Sequence, residues 1–337
     1  MKKILVVGAG LSGATIAREL AETEQYKVWV FDKRGHVAGN AYDYTNIHNI
    51  RVHEYGPHLF HTNNKEVFEY LSRFTEWVEY KHKVKAQLDD GRYVTLPVNK
   101  ETKEIVGEEN VLDIFFRPYT KKMWGMELDE LNPDIINRVP IRNDMNELYF
   151  PDDQYQAMPK DGYTEMVANM LDHPNIIVKL NTEYSKDYDH LFDHIFNSMP
   201  IDEYFDFVHG ELPYRSIKFH TMTLPNPHVL PSATVNFTND GIYTRVTEWK
   251  KLPHHGDNKY CTTLTYEEPC DYRDNNRERF YPVKDRDGKN RGLYEKYKSM
   301  TPSNTTFIGR CGLYAYLDMD MAVNSALRIS KRFTQKT

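Results

Sequence analysis

The 337-residue chain has few cysteines, no surplus of positive charge and no long uncharged apolar run. Its three cysteines, Cys261, Cys270 and Cys311, form no C-x-x-C pair and no Cys/His set with metal-ligand spacing, which argues against a disulfide framework or a zinc site. Since 43 Lys and Arg stand against 49 Asp and Glu, a domain-wide nucleic-acid surface is not expected. The mean hydropathy is −0.70, and no stretch provides the about 20 apolar residues of a membrane span. These absences favour a soluble, cytoplasmic protein without a metal ion.

The N-terminal sequence carries the pattern of a dinucleotide-binding unit. A short β-branched strand, Lys3 to Val7, leads into GAGLSG, then into a helical pattern, and a second strand ends at Asp32. The glycines Gly8, Gly10 and Gly13 allow a tight turn, close approach of a pyrophosphate and close helix packing, and Asp32 can accept from a ribose hydroxyl. The unit therefore predicts a dinucleotide at a helix N-terminus, and it does not distinguish FAD from NAD.

Beyond residue 40 the sequence departs from a simple alternation of strands and helices. Two strand-like runs, 77–88 and 92–98, flank Asp89-Asp90-Gly91 and predict a hairpin, and four more runs follow between Tyr214 and Tyr266. The further predicted elements are helices at 65–74, 110–124, 128–139, 162–171 and 319–334, and strands at 176–180 and 306–309. The charged segment 271–291 is predicted to be exposed.

Together these elements predict an α/β protein with a discontinuous Rossmann-like domain. A small helical unit and an antiparallel sheet are inserted into it. The predicted ranges are 1–76, 156–205 and 300–337 for the dinucleotide domain, 100–138 for the helical domain, and 77–99, 139–155 and 206–299 for the sheet domain. The ligand cleft is expected where the three parts meet.

Several stretches taken together are typical of one family. They are HVAGNAYDY, YGPHLFHT, FFRPYTKKMWGM, NRVP, ELYFP, MPKDGYTEM, YTRVTEWK, FYPV and GRCGLYAYLDMD. In this order the chain resembles the UDP-galactopyranose mutases, as a short member of the bacterial-type family. The resemblance implies an FAD-binding Rossmann-like domain and an isomerase that interconverts UDP-galactopyranose and UDP-galactofuranose for polysaccharide biosynthesis. It also implies chemistry without net oxidation, in which N5 of reduced FAD attacks the anomeric carbon and UDP leaves.

Carried over position by position, the resemblance assigns three groups of site residues. The catalytic group is Arg138, His58 and Asp318. The substrate group is Phe115, Phe116, Tyr119, Thr120, Trp124, Tyr149, Tyr281, Tyr314 and Tyr316. The cofactor group is Gly8, Gly10, Gly13, Asp32, Arg34, Gly39, Asn40, His61, Arg245 and Arg310. Aromatic faces suit a stacked uracil, and an arginine fork suits a diphosphate.

The sequence departs from the family pattern at two positions of the expected substrate site. Glu268, in YEEPC, stands where the family has a second phosphate-binding arginine, and a carboxylate there would repel phosphate. One hypothesis is that Arg273, Arg277 or Arg279 supplies the missing charge. Met123 stands where several relatives have a glutamine that can bind the base.

The resemblance further implies a UDP-sugar substrate and an external reductant or reductase. It does not decide between UDP-galactose and UDP-N-acetylgalactosamine. The chain is shorter than bacterial relatives between Asn99 and Asn110, in the unit that forms their dimer interface, so dimerisation stays open. Two other functions fit the fingerprint: an FAD-dependent oxidoreductase of the amine-oxidase type, and a UDP-sugar-binding relative without turnover. The pair His254-His255 lies in a Pro/Gly loop and is predicted to be solvated.

Overall fold

A five-stranded parallel sheet forms one half of the molecule. In the computed structural model, which describes residues 1–130 and 141–335, its strand order is β10 (Ile176–Lys179), β2 (Tyr26–Phe31), β1 (Lys2–Val7), β11 (His194–Asn197) and β17 (Thr305–Phe307). Ile4 and Val6 face one hydrophobic cluster, and Leu5 faces another. The central strand is thus buried on both faces, as its continuous apolar run predicts.

Helices pack on this sheet and connect its strands. α1 (Leu11–Glu22) packs against the last helix, α9 (Met319–Thr334), so the two ends of the chain belong to one unit. The other helices around it are α2 (Lys65–Leu71), α5 (Tyr163–Leu171), α6 (Ile201–Tyr204), α7 (Lys289–Ser299) and α8 (Gly309–Gly312).

The second half is a seven-stranded, mainly antiparallel sheet. Its order is β16 (Tyr281–Pro282), β12 (Tyr214–Leu224), β15 (Thr262–Asp271), β14 (Arg245–Glu248), β13 (Thr234–Phe237), β7 (Val84–Gln87) and β8 (Tyr93–Leu96). The pairing of β13 with β7 is parallel. The predicted hairpin is present, since β7 and β8 pair around the Asp89-Asp90-Gly91 turn. The α/β architecture predicted from the sequence, with an inserted antiparallel sheet, is confirmed.

Two smaller sheets join the halves. β3 (Asp43–Thr45) pairs with β4 (Arg51–His53). β9 (Tyr155–Pro159) lies between β5 (Phe60–Thr62) and β6 (Trp77–Glu79). The strand-like run predicted at 77–88 is therefore divided between two sheets.

The helical unit differs from the single long helix predicted at 110–124. It consists of α3 (Lys100–Val106), a 3₁₀ turn, a π-helical stretch (Leu112–Phe116) and α4 (Arg117–Trp124). Pro118 has no amide proton for an i→i−4 hydrogen bond, and the register changes beside it. The predicted helix 128–139 lies mostly outside the described residues.

The prediction that segment 271–291 is exposed holds for residues such as Arg273, Lys284 and Arg286, and it is wrong at several other positions. Tyr272 and Arg279 are buried, and the segment leads into α7, an 11-residue helix. The sequence signal for α7 is weak because the helix is largely charged and fully buries only Tyr294 and Tyr297. Among residues 1–130 and 141–335 no helix is long and apolar enough to cross a membrane.

Candidate active site

The turn between β1 and α1 leaves no room for a side chain at Gly8 or at Gly13. Gly8 has a φ of +102°, and a Cβ there would lie 2.0 Å from Ser198 Oγ. A Cβ on Gly13 would lie 1.9 Å from the carbonyl oxygen of Gly8. The backbone of β1 and the first turn of α1 therefore approach each other closely. The first amides of α1 have no partner within the helix, and such amides bind phosphate oxygens.

Asp32, at the end of β2, is held by two backbone amides. Its Oδ2 accepts from Ala9 N at 2.8 Å and its Oδ1 from Arg34 N at 2.9 Å. Each carboxylate oxygen keeps a further lone pair for a ribose hydroxyl. Arg34 donates to Asn40 Oδ1 at 2.9 Å and lies 4.2 Å from the ring centroid of Tyr55.

A cleft of about 320 Å³ begins at the glycine turn. Ten of the sequence-predicted residues line it: Gly8, Gly10, Gly13, Asp32, Arg34, Gly39, Asn40, His58, Arg310 and Asp318. Asp318 is the N-cap residue of α9, whose N-terminus therefore faces the cleft. Glycine backbone, a helix N-terminus and a ribose-binding acid along one cleft fit a dinucleotide.

His58 offers the cleft a neutral imidazole. Its Nδ1 lies 2.9 Å from the carbonyl oxygen of Gly56, so Nδ1 carries the proton and Nε2 is left as an acceptor. Desolvation lowers the pKa of His58 to about 4, and the positive charge of Arg310 acts in the same direction. At neutral pH the side chain therefore adds no charge to the cleft.

An aromatic surface adjoins the cleft. We use this name for Tyr119, Trp124, Tyr281 and Tyr316. The rings of Tyr281 and Tyr316 are stacked at 5.6 Å, and Trp124 meets Tyr281 edge-on at 6.4 Å. Arg310 lies over Tyr281 and Tyr316, with its guanidinium carbon 5.2 Å and 5.0 Å from the ring centroids. Arg310 thus belongs to both the cleft and the aromatic surface.

Arg245, predicted as a cofactor ligand, lies beside the aromatic surface and is not among the residues that line the cleft. It donates to the hydroxyl of Tyr119 at 3.2 Å, and its Nε is 3.4 Å from Glu267 Oε2. Burial lowers its pKa, but the charge of Glu267 outweighs this and the pKa is raised overall. The Arg245 side chain is 28% exposed and that of Glu267 only 5%, so the cation is the accessible partner.

Glu268 faces away from this pair. Because β15 alternates its side chains, Glu267 points to the face that carries Arg245 and Glu268 to the opposite face. There, Glu268 Oε2 lies 2.8 Å from His220 Nε2. Of the three arginines proposed as substitutes, Arg273 pairs with Asp271 on the surface. The other two, Arg277 and Arg279, line the dinucleotide cleft and pair with Glu211 and Glu203.

The remaining predicted substrate residues lie at two places. Phe115, Phe116 and Tyr149 pack against the hydrophobic cluster beneath the β7–β8 hairpin. Thr120 is buried on α4, one residue after Tyr119. Arg138 lies outside the described residues.

Two predicted residues lie apart from both the cleft and the aromatic surface. The Nδ1 atom of His61 is 2.6 Å from Asp153 Oδ2, and its ring stacks on Phe150 at 3.5 Å. Tyr314 is 4% exposed, and its hydroxyl lies 2.9 Å from the carbonyl oxygens of Pro213 and Val283. The described contacts of both side chains are thus with protein groups.

Sequence reasoning missed Lys122. Its ammonium donates to the carbonyl oxygens of Phe237, Asn239 and Tyr243 at 2.8–3.0 Å. Lys122 therefore ties α4, with its aromatic side chains, to the loop after β13. The only sequence signal was the Lys121-Lys122 pair among aromatics, which does not show where the side chains point.

The glycine turn, Asp32 and the cleft define a protein of the Rossmann type, with an aromatic surface beside its cleft. Sequence comparison agrees, since an NAD(P)-binding Rossmann-like domain matches residues 6–74. The UDP-galactopyranose mutase family matches residues 114–316. The chain belongs to the UDP-galactopyranose mutase family, which consists of isomerases.

Full-length relatives and a solved structure agree with this assignment. A Klebsiella pneumoniae protein named a probable UDP-galactopyranose mutase is 34% identical, over 98% of this chain and 94% of its own length. The dTDP-fucopyranose mutase of Escherichia coli is 32% identical, over 99% and 98%. A crystal structure of reduced UDP-galactopyranose mutase shares the fold, with a TM-score of 0.77 at 14% identity, over 100% and 94%. The Rossmann-like match supports a dinucleotide cofactor.

Proposed function

We propose that this protein interconverts UDP-galactopyranose and UDP-galactofuranose with FAD in its reduced form and without net oxidation. Membership of the mutase family supports the reaction class. The observation that carries the proposal is the position of Arg310, which lines the cleft and also lies over Tyr281 and Tyr316. A sugar nucleotide on these tyrosines would hold its sugar beside the cofactor.

The chain's own residues would bind and orient, while bound reduced FAD supplies the nucleophile for the anomeric carbon. The amides of Leu11 and Ser12 would bind the pyrophosphate, and Asp32 the ribose. His58 would offer Nε2 as an acceptor. The N-terminus of α9, behind Asp318, would favour negative charge in the cleft.

We assign the charge that faces the substrate diphosphate to Arg245. It is partly exposed, it touches Tyr119, and its pKa is influenced by the hydroxyls of Tyr149 and Tyr281. Glu268 is on the other face of the sheet and does not oppose it. For Arg138, a role as a second diphosphate ligand is proposed from the resemblance alone.

A dTDP-sugar is the second candidate substrate. The match to dTDP-fucopyranose mutase extends over 99% of this chain at nearly the same identity as the match to the UDP-galactopyranose mutase relative. Uracil and thymine differ by one methyl group, and stacking on an aromatic surface tolerates both bases. Met123 stands where several relatives have a glutamine that can bind the base. Its side chain is apolar and 5% exposed, so this chain lacks that amide.

We also propose where the protein is located and what reduces its flavin. All three cysteines are unpaired, which supports a reducing compartment such as the cytoplasm. The sequence shows one dinucleotide fingerprint, so an external reductase would reduce the flavin.

The test is incubation of the flavin-loaded protein with UDP-galactofuranose, with and without dithionite, followed by anion-exchange separation. We expect UDP-galactopyranose only in the reduced sample. Peroxide formation with an oxidised substrate would instead identify an oxidase, and binding of UDP without conversion would identify a binding protein. A parallel sample with a dTDP-linked furanose, together with competition by UDP and dTDP, tests the second candidate.

A further inference from the structure

Two histidines from distant parts of the chain meet behind the turn that carries His58. His53 ends β4, His255 lies in the loop after β14, and their Nε2 atoms are 3.0 Å apart. Their exposed fractions are 1% and 2%. The prediction of a solvated loop is thus wrong for His255. Its carbonyl oxygen accepts from Arg51 N at 2.9 Å, which ties the loop to β4.

The hydrogen bonds of this pair fix where every proton lies. His53 Nδ1 accepts from the backbone amide of His58 at 3.1 Å, so it is unprotonated and the proton of His53 is on Nε2. His255 Nδ1 lies 2.8 Å from the carbonyl oxygen of Pro253, which can only accept, so this nitrogen carries the proton. His255 Nε2 is then free to accept from His53. Only this pair of neutral tautomers satisfies all three bonds.

We propose that His53 and His255 are positioning residues that hold the turn of Tyr55 to His58 at the cofactor cleft. His53 anchors the backbone of His58, and His255 keeps His53 in the tautomer that can accept. Without an acceptor at His255, the Nε2 proton of His53 would be buried and unpaired, and the His53 ring would be held less firmly against the His58 amide. The effect on catalysis rests on the proposed function, whereas the effect on the turn does not.

The same geometry makes the support sensitive to acid. A proton added to His255 would place two N–H groups against each other, and a proton added to His53 would face the amide of His58. The charged and titratable groups around the pair are Arg51, His58, His254, Tyr163 and Asp43. The carboxylate of Asp43 accepts from the amides of Tyr163 and Thr164 at 2.9 Å each, so it is directed at the start of α5 and not at either imidazole.

The test compares His255→Leu, which removes the acceptor, with His255→Gln, whose amide oxygen can reach His53 Nε2. The neighbouring His254→Asn is the matched control, because His254 is exposed and asparagine tolerates its positive φ. The readouts on the flavin-loaded chain are imidazole ¹⁵N shifts, hydrogen exchange of the His58 amide, and kcat and KM as a function of pH.

We expect His255→Leu to leave the Nε2 proton of His53 without an acceptor, which shifts the ¹⁵N resonance of that nitrogen, and to speed exchange of the His58 amide at least about tenfold. It should lower kcat by roughly ten- to a hundredfold, with KM within about twofold. His255→Gln should restore the exchange and most of kcat, and His254→Asn should match the unaltered chain. The acid limb of the kcat profile should shift in both His255 variants, because neither can take up the proton of His255, and should stay unchanged in His254→Asn.

Unchanged shifts and exchange in a folded His255→Leu would overturn the proposal. So would a His255→Gln chain that keeps its fold and yet has lost the His58 amide protection. If the unaltered chain lacks mutase activity, the proposed function fails, and the ¹⁵N shifts and exchange still decide this inference.

Discussion

At the scale of single residues, neighbouring side chains on one strand face different environments. Glu267 is buried against Arg245, while Glu268 lies with His220 on the opposite face. The carboxylate that replaces the family arginine would therefore not oppose a diphosphate bound on the Arg245 face. The charged groups on that face include Arg245 and Glu267.

This difference predicts opposite outcomes for two substitutions. Arg245→Gln should raise the Kd for UDP at least about tenfold, because a charge-assisted hydrogen bond contributes about 1.5–3 kcal/mol. Glu268→Gln should leave the Kd within about twofold. Titration calorimetry with UDP measures both, and equal affinities for the two variants would contradict the assignment.

Loss of Arg245 leaves the Glu267 carboxylate buried without its partner, which can cost several kcal/mol of folding free energy. The double variant Arg245→Gln/Glu267→Gln removes both charges and avoids this. If it folds like the unaltered chain and still binds UDP weakly, the lost affinity belongs to the guanidinium.

At the scale of elements, the glycine turn determines how closely α1 approaches β1. Gly13 lies inside α1, where its missing Cβ lets the helix contact the backbone of Gly8. Gly292, in α7, also lies inside a helix, but nothing lies within 4 Å of a Cβ built there. At Gly13 a side chain would not fit, so glycine is sterically required. At Gly292 a side chain would fit, so glycine has only its general energetic cost inside a helix.

Gly13→Ala should therefore abolish retention of flavin, because the methyl group would lie 1.9 Å from a carbonyl oxygen and force α1 away from β1. Gly292→Ala should retain flavin and raise the free energy of unfolding by about 0.5–1 kcal/mol. Flavin absorbance after gel filtration, with urea unfolding of both variants, measures these effects. Full flavin occupancy in Gly13→Ala would contradict the steric argument.

At the scale of the whole molecule, several histidines are buried or half-buried where segments that are distant in sequence meet. Desolvation lowers the pKa of His82 to about 3, and those of His58, His194 and His255 to about 4. Each is neutral in the folded chain at pH 5 and above, but would be mostly protonated in the unfolded chain below pH about 6.5. The unfolded chain thus binds more protons in the window between about pH 4 and 6.5.

Stability should therefore fall as the pH is lowered from 6.5 to 5, before most carboxylates are protonated. Each such histidine lowers the free energy of unfolding by at most about 1.4 kcal/mol per pH unit. Urea unfolding at pH 7, 6 and 5 measures the trend. His82→Gln should reduce the slope if it folds, and a constant free energy of unfolding from pH 7 to 5 would be incompatible with neutral buried histidines.

The sequence by itself determined the dinucleotide unit and the family. The turn Gly8 to Gly13, the acid Asp32 and the motif order are local patterns, and their geometry follows from backbone sterics and short-range spacing. Ten of the predicted site residues line the cleft, and all ten come from such motifs. The predicted domain limits and individual residue roles stay predictions.

Only the tertiary structure decided which side chains meet across distant segments. It placed Glu268 on the outer face of the sheet, buried His255 against His53, and formed α7 on two buried tyrosines. The sequence predicted solvent exposure at His255 and at Tyr272, and both side chains are buried. Burial depends on what packs against a segment, and strand register and long-range contacts determine that packing, which no local pattern records.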